Sequence, residues 1–239
     1  VKKEKIPVGK TFSALLKNQY FWAVLILWMM QNVITSITGT ILPYYCKYIL
    51  GNDTWMYSVL YFAETIVIIL GAMVCPVFIK KWGKRNITLA GAVVAIAAQV
   101  CLMLNPNNFY YMFAITLIRS AGVAQLNATV FGMLGDVVEY SYWKNGFRQE
   151  SMIFGGASLG FKVGSGIASA VITSLMTASG YISSQGADVV QPGSAISMIA
   201  DIYKWGPVII WVVAAIMLVI YKLDREMPQI AEELANREK

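Results

Sequence analysis

The sequence predicts an all-α protein that crosses a membrane repeatedly as a six-helix bundle. Three observations predict it. Hydrophobic residues make up 57% of the 239-residue chain and charged residues only 13%, where a soluble domain carries about 25% charge. The apolar residues come in blocks long enough to cross a hydrocarbon core of about 30 Å. Lys and Arg are spread very unevenly over the segments between those blocks.

The blocks are 20–46, 55–79, 86–104, 109–135, 151–179 and 204–222. Residues 1–19 precede them as a linker. Within it, 10–20 mix apolar and basic residues at helical spacing, which suits an amphipathic helix lying on the membrane surface. The first span carries Asn32, Thr35, Ser36 and Gly39 on one face, with Gln31 nearby. That face either bonds a neighbouring helix or lines a cavity for a hydroxyl-rich solute. Pro43 near the span's end removes a backbone bond and favours a kink. Gly51-Asn52-Asp53 leads into the second span, which contains Glu64 beside Tyr57, Tyr61 and Gly71. Lys80-Lys81-Trp82-Gly83-Lys84-Arg85 is a basic turn, and Asn105-Pro106-Asn107-Asn108 is a tight one. The fourth span contains Arg119 at a depth comparable to Glu64, so the two can form an intramembrane charge pair, either structural or involved in gating. Residues 136–150 read as a polar loop and 180–203 as a Gly/Ser-rich loop that ends in a short surface helix. Residues 223–239 form a charged tail, helical or disordered.

Fifteen of the nineteen Lys and Arg lie on one side, in the N-terminal segment, the 80–85 and 136–150 stretches and the tail. Lys47 and Lys204 lie on the other side, while Arg119 and Lys162 lie within spans. The positive-inside rule makes the basic side cytoplasmic, with both ends of the chain on it and an even number of spans between. A multi-pass protein of the cell membrane is expected. The net charge of +6 is thus accounted for by topology, and nucleic acid is not an expected partner. Cys46, Cys75 and Cys101 show no CxxC spacing and read as free thiols. The chain has no His, the commonest proton shuttle and metal ligand. No nucleophile–base pair, metal cluster or phosphate loop is legible, so neither an enzyme nor a resident cofactor or metal is expected. The opening Val1-Lys2-Lys3-Glu4-Lys5 reads as an interior linker, which makes a fragment of a longer protein the expectation.

Lys162 is the only charge in the fifth span. It stands a dozen residues in, roughly 18 Å along a helix and near the bilayer midplane. A charge there costs at least about 2.5–3.5 kcal/mol on insertion scales, so it faces a polar cavity or a partner. Gly155, Ser158, Ser165, Gly166, Ser169 and Thr173 share its face, while Gly156, Gly160, Gly164 and Ala168 form a small-residue stripe roughly opposite. The stripe admits a close neighbouring helix. Lys162, Ser158, Ser165, Asn32 and Thr35 are therefore the candidate residues of a water-accessible solute cavity.

The string Gly135-Asp136-Val137-Val138-Glu139-Tyr140, with Trp143-Lys144-Asn145-Gly146-Phe147-Arg148-Gln149-Glu150 after it, resembles the loop between helices ten and eleven of the glycoside–pentoside–hexuronide:cation symporters. These form the melibiose-permease family of the major facilitator superfamily. Their pattern is an Asp, an acidic residue and Tyr, then Lys-Thr/Asn-Gly-x-Arg-x-Glu, with a lysine on the next helix where Lys162 falls. The basic turn at 80–85 resembles one in the wider superfamily. The resemblance implies that this chain is the C-terminal half of a twelve-helix fold with two bundles around a central cavity. It implies that the aspartates binding the coupling cation (sodium or proton) and much of the sugar site lie in an N-terminal bundle. Lys162 would face those carboxylates across the cavity, which favours its charged form. Asp136, Glu139, Tyr140, Arg148 and Glu150 would form a cytoplasmic gate. Taken alone, the same charges read as solvated pairs worth about 0–1 kcal/mol each.

The expected function is thus cation-coupled symport of a glycoside or related sugar by alternating access. The expected partners are the sugar, the cation, the bilayer and the N-terminal bundle. The competing reading is a self-contained six-helix channel or carrier that assembles as an oligomer around Lys162.

Overall fold

A computed structural model describes residues 8–51, 55–183 and 190–237. Lys2, Lys3, Lys5 and Lys239, the Asn52-Asp53 turn and the middle of the 180–203 loop lie outside the described residues. Within the described residues the chain forms eight helices and no strand: α1 Val8–Leu16, α2 Gln19–Tyr48, α3 Trp55–Trp82, α4 Lys84–Leu102, α5 Phe109–Asn145, α6 Glu150–Ala178, α7 Gly193–Ile220 and α8 Leu223–Arg237. The long helices α2 to α7 are apolar and long enough to cross a membrane. The protein is a multi-pass membrane protein of all-α class.

Local chemistry sets the breaks. The amphipathic stretch expected over 10–20 stops at Leu16, because Asn18 accepts the N–H groups of Tyr20 and Phe21 at 3.1 and 3.2 Å. This is N-capping of α2, so Gln19 joins the first span ahead of Tyr20. Gly83 separates α3 from α4 at φ 79°, a conformation that only glycine adopts cheaply. A Cβ there would also meet the Asp224 carboxylate. Gly146 ends α5 in the left-handed region.

Two expected boundaries are corrected. Residues 136–150 are not a loop: α5 continues through Asp136, Glu139 and Tyr140 to Asn145. Its 37 residues make a rod of about 55 Å, longer than the hydrocarbon core. Polarity marks where the helix leaves the bilayer, and nothing before Gly146 breaks the helix. Likewise the last span does not begin at 204. Pro192 precedes a helix starting at Gly193, and Ala195, Ile199, Ile202 and Tyr203 are buried on one face of it. Residues 193–203, which read as the end of a loop with a short surface helix, are the first part of α7.

In the bundle, α2 packs on α6 and α7, α5 on α3 and α4, and α4 on α7. The crossing of α4 and α5 is tightest at Gly91 and Gly122, where a Cβ on either would overlap the other's carbonyl. Gly156, Gly160 and Gly164 lie against Phe21, Leu25 and Met29 of α2. Two apolar cores result. One, around Leu27, Leu126, Met133 and Trp211, fills the basic end. The other, around Ile41, Tyr45, Leu102 and Tyr203, fills the opposite end. The tail helix α8 is docked: Leu223 and Ile230 are buried, the Tyr20 hydroxyl donates to Glu226 at 2.9 Å, and the Trp143 indole N–H donates to Glu233 at 2.6 Å.

Candidate functional site

Lys162 stands on an open face of α6. Its side chain is exposed, as are Gly155, Ser158, Gly166, Ser169 and Thr173, while Ser165 is half-buried. Among the described residues no carboxylate lies within ion-pair distance of Lys162. The opposite side of the helix is closed by α2, so the packed and polar faces are separate.

On α2 the two candidate cavity residues part company. Asn32 is buried and donates its amide to the Phe161 carbonyl at 2.5 Å. It pins α2 to α6 one residue before Lys162. Thr35 is exposed, its hydroxyl donating to the Gln31 carbonyl at 3.1 Å, a bond within its own helix that leaves the oxygen able to accept. One turn before Asn32, Trp28 lies between Phe131 and Phe161 at ring separations of 5.1 and 5.2 Å. The Gln31 amide donates to Asn127 of α5, and its own carbonyl oxygen is buried without a partner.

The two remaining intramembrane charges meet. Arg119 of α5 donates to both carboxylate oxygens of Glu64 on α3 at 3.3 Å. Its other terminal nitrogen donates to Gln99 of α4 at 3.0 Å and to the Tyr203 hydroxyl of α7 at 3.5 Å. Gln99 returns its amide to the Tyr203 carbonyl at 2.8 Å. Four helices therefore share one buried polar knot, and α3, otherwise largely exposed, is tied to it by Glu64.

The five gate candidates divide into two sets. Asp136 is buried and paired with Lys84 of the basic turn at 2.5 and 2.6 Å. Lys144 and Arg148 are not its partners. The buried Tyr140 ring meets Tyr20 edge-on at 4.9 Å. Glu139, Arg148 and Glu150 instead surround a surface hollow of about 230 Å³ with Tyr142 and Phe154. The Arg148 guanidinium sits over the Tyr142 ring at 5.2 Å. Among the described residues, none of these three forms an ion pair within 4 Å.

Sequence reasoning missed Gln99 and Tyr203 as partners of Arg119, and Lys84 as the partner of Asp136. Gln99 carried a usable signal as an amide deep inside an apolar span. Among the described residues no three His, Cys, Asp or Glu side chains converge as a metal site would require.

The chain is similar to known proteins along most of its length. It is 28% identical to the isoprimeverose transporter of Lactiplantibacillus pentosus over 98% of this chain and 48% of that protein. It is 22% identical to an uncharacterized symporter of Bacillus subtilis over 97% of this chain and 50% of that protein. It is 25% identical to a glucuronide carrier protein homolog of Escherichia coli over 82% and 42% respectively. The chain thus spans about half the length of the curated relatives it matches. The profile of the family described as MFS/sugar transport protein matches residues 1–225, and the chain belongs to that transporter family of the major facilitator superfamily.

Proposed function

We propose that this chain is the C-terminal bundle of a secondary transporter that carries a glycoside or related sugar together with sodium or a proton. The observation that carries the reading is Lys162, exposed on a face of glycines and hydroxyls at mid-helix with no carboxylate within ion-pair distance among the described residues. Such a charge is tolerable in a bilayer only against a polar cavity or a countercharge. A second bundle with acidic residues supplies both. Lys162 then sits across the cavity from the carboxylates that hold most of the coupling cation, and its ammonium competes with or yields to that cation. Ser158, Ser165 and Thr35 offer hydroxyls to the sugar from this side, and Trp28 with its two aromatic neighbours forms an apolar wall. The Gln31 carbonyl is a free acceptor nearby.

In the same reading, Glu139, Arg148 and Glu150 act at the mouth on the basic side, which the positive-inside rule makes cytoplasmic. They form no ion pair among the described residues and are available to bonds that form when that mouth closes. Asp136 and Tyr140 hold the end of α5 in place for them. The buried Glu64–Arg119 knot keeps α3 in register with the core while the bundles rock.

The experiment is uptake of radiolabelled glycosides by cells expressing the complete open reading frame, with and without a sodium gradient and with a protonophore. Sodium-stimulated or protonophore-sensitive accumulation is expected, and Lys162→Ala is expected to abolish it while membrane insertion stays normal. Full accumulation by Lys162→Ala would remove the assigned role.

A further inference from the structure

Two cavities meet on the exposed side of α7 near the basic end. One, about 450 Å³, is lined by Gln19, Tyr20, Ala23, Val219, Ile220 and Lys222. The other, about 290 Å³, is lined by Ile96, Val212, Ala215, Ile216, Val219 and Ile220. Val219 and Ile220 belong to both, so the two form one trough. Its chemistry changes along its length. The Lys222 end is mixed polar, and the stretch towards Val212, about 15 Å further along the helix, is wholly aliphatic.

Two cations stand at the polar end, Lys222 in the lining and Arg85 outside it but bonded to Val219 of the wall. The Arg85 guanidinium donates to the carbonyls of Leu218 and Val219 at 2.7 and 3.0 Å. These bonds to the open C-terminal carbonyls of α7 fix it beside the trough wall without neutralising it. Lys222 lines the trough directly. Among the described residues neither cation has a carboxylate within ion-pair distance. The two nearby carboxylates are engaged: Asp224 accepts the backbone N–H of Arg85 at 3.0 Å, and Glu226 accepts the Tyr20 hydroxyl at 2.9 Å.

We propose that this trough binds one anionic phospholipid from the leaflet on the basic side. Its phosphodiester is held by Arg85 and Lys222, and an acyl chain lies along Val219, Ile216 and Val212. The guanidinium fork suits phosphate oxygens, and basic pockets at helix ends attract anionic headgroups. The order of the lining, cationic and then aliphatic, fits an amphiphile. A free phosphate would leave the aliphatic stretch uncovered, and a lipid with no net charge would leave the two cations uncompensated. The inference is independent of the transported solute.

The test is native mass spectrometry of the full-length protein with phosphatidylglycerol or phosphatidylcholine added in detergent. Phosphatidylglycerol is expected to be retained preferentially. Lys222→Gln, at an exposed site, is expected to lower that retention about fivefold, as suits loss of one cation near an anionic surface. Ile216→Trp, which fills the aliphatic stretch and leaves the charge alone, should lower it too. Millimolar inorganic phosphate should not displace the lipid. Equal retention of the two lipids, or wild-type retention by both Lys222→Gln and Ile216→Trp, would overturn the assignment. Displacement by phosphate alone would reassign the site to a free anion and overturn it as well.

Discussion

Arg119 contacts both carboxylate oxygens of Glu64 at 3.3 Å, and the two residues reach one another from helices 55 residues apart in the chain. The pair is not isolated, because Gln99 and the Tyr203 hydroxyl also accept from the guanidinium. Arg119 therefore has acceptors left when Glu64 loses its charge, whereas Glu64 has no second cation among the described residues.

That asymmetry makes the two halves of the pair unequal under mutation. Arg119→Ala strands a carboxylate that keeps only 12% of its side chain exposed, and removing one partner of a buried pair costs about 3–5 kcal/mol. Glu64→Gln keeps a hydrogen-bond acceptor and is expected to cost clearly less. Thermal unfolding of the two variants in the same detergent checks the order. Equal losses would show that the knot does not distinguish its members.

The Lys84–Asp136 contact joins the first residue of α4 to the last third of α5. Asp136→Ala leaves Lys84 with only the Gly132 carbonyl at 3.3 Å. Loss of hydrogen bonds to a charged group costs about 1.5–3 kcal/mol. Stability should fall by that order, and Asp136→Asn should recover part of it. A melting midpoint unchanged in Asp136→Ala would rule out the anchoring role.

Space at the α4–α5 crossing is a sharper constraint than hydropathy. Gly122→Ala places a methyl against the Gly91 carbonyl and the Ala95 backbone, so the helices must separate. Overpacking of this kind costs about 1–3 kcal/mol. Gly135→Ala on the same helix meets nothing within 4 Å and should be neutral or slightly stabilising. Size-exclusion profiles and melting curves of the two alanine variants provide the comparison.

The tail contact predicts a pH dependence. The Trp143 indole N–H holds the Glu233 carboxyl below its usual pKa, with a smaller contribution from Gln229. A carboxylate depressed in the docked state favours docking above its free pKa, and that contribution is lost as pH falls through the docked pKa. Trp143 emission should therefore shift on acidification below the usual carboxylate range, as α8 loosens. Glu233→Gln should remove the transition. An identical transition in Glu233→Gln would assign it to another group.

Arg148 is expected to govern rate more than coupling. It is exposed, without an ion pair among the described residues, and at the mouth, away from Lys162. Arg148→Ala should slow solute exchange and leave the choice of cation unchanged, as measured by uptake under sodium and proton gradients. A switched cation preference would place Arg148 in the coupling machinery.

Six spans, and the basic side on which the chain is expected to begin and end, are legible from sequence because hydropathy and loop charge are local properties and the bilayer imposes a fixed length. The open polar face around Lys162 and the small-residue face opposite it are legible for a similar reason, since helical geometry alone separates them. Where α5 ends and where α7 begins is not, because a polar residue marks the membrane surface and only Gly146 and Pro192 mark the helix boundaries. Nor does sequence tell Asn32 from Thr35, three residues apart on one face of α2. Only the crossing of α6 makes the first a buried strut and leaves the second open. The same holds for Asp136. Its charge is plain in the sequence, but its partner Lys84 lies 52 residues away, and such pairings exist only once the helices have packed.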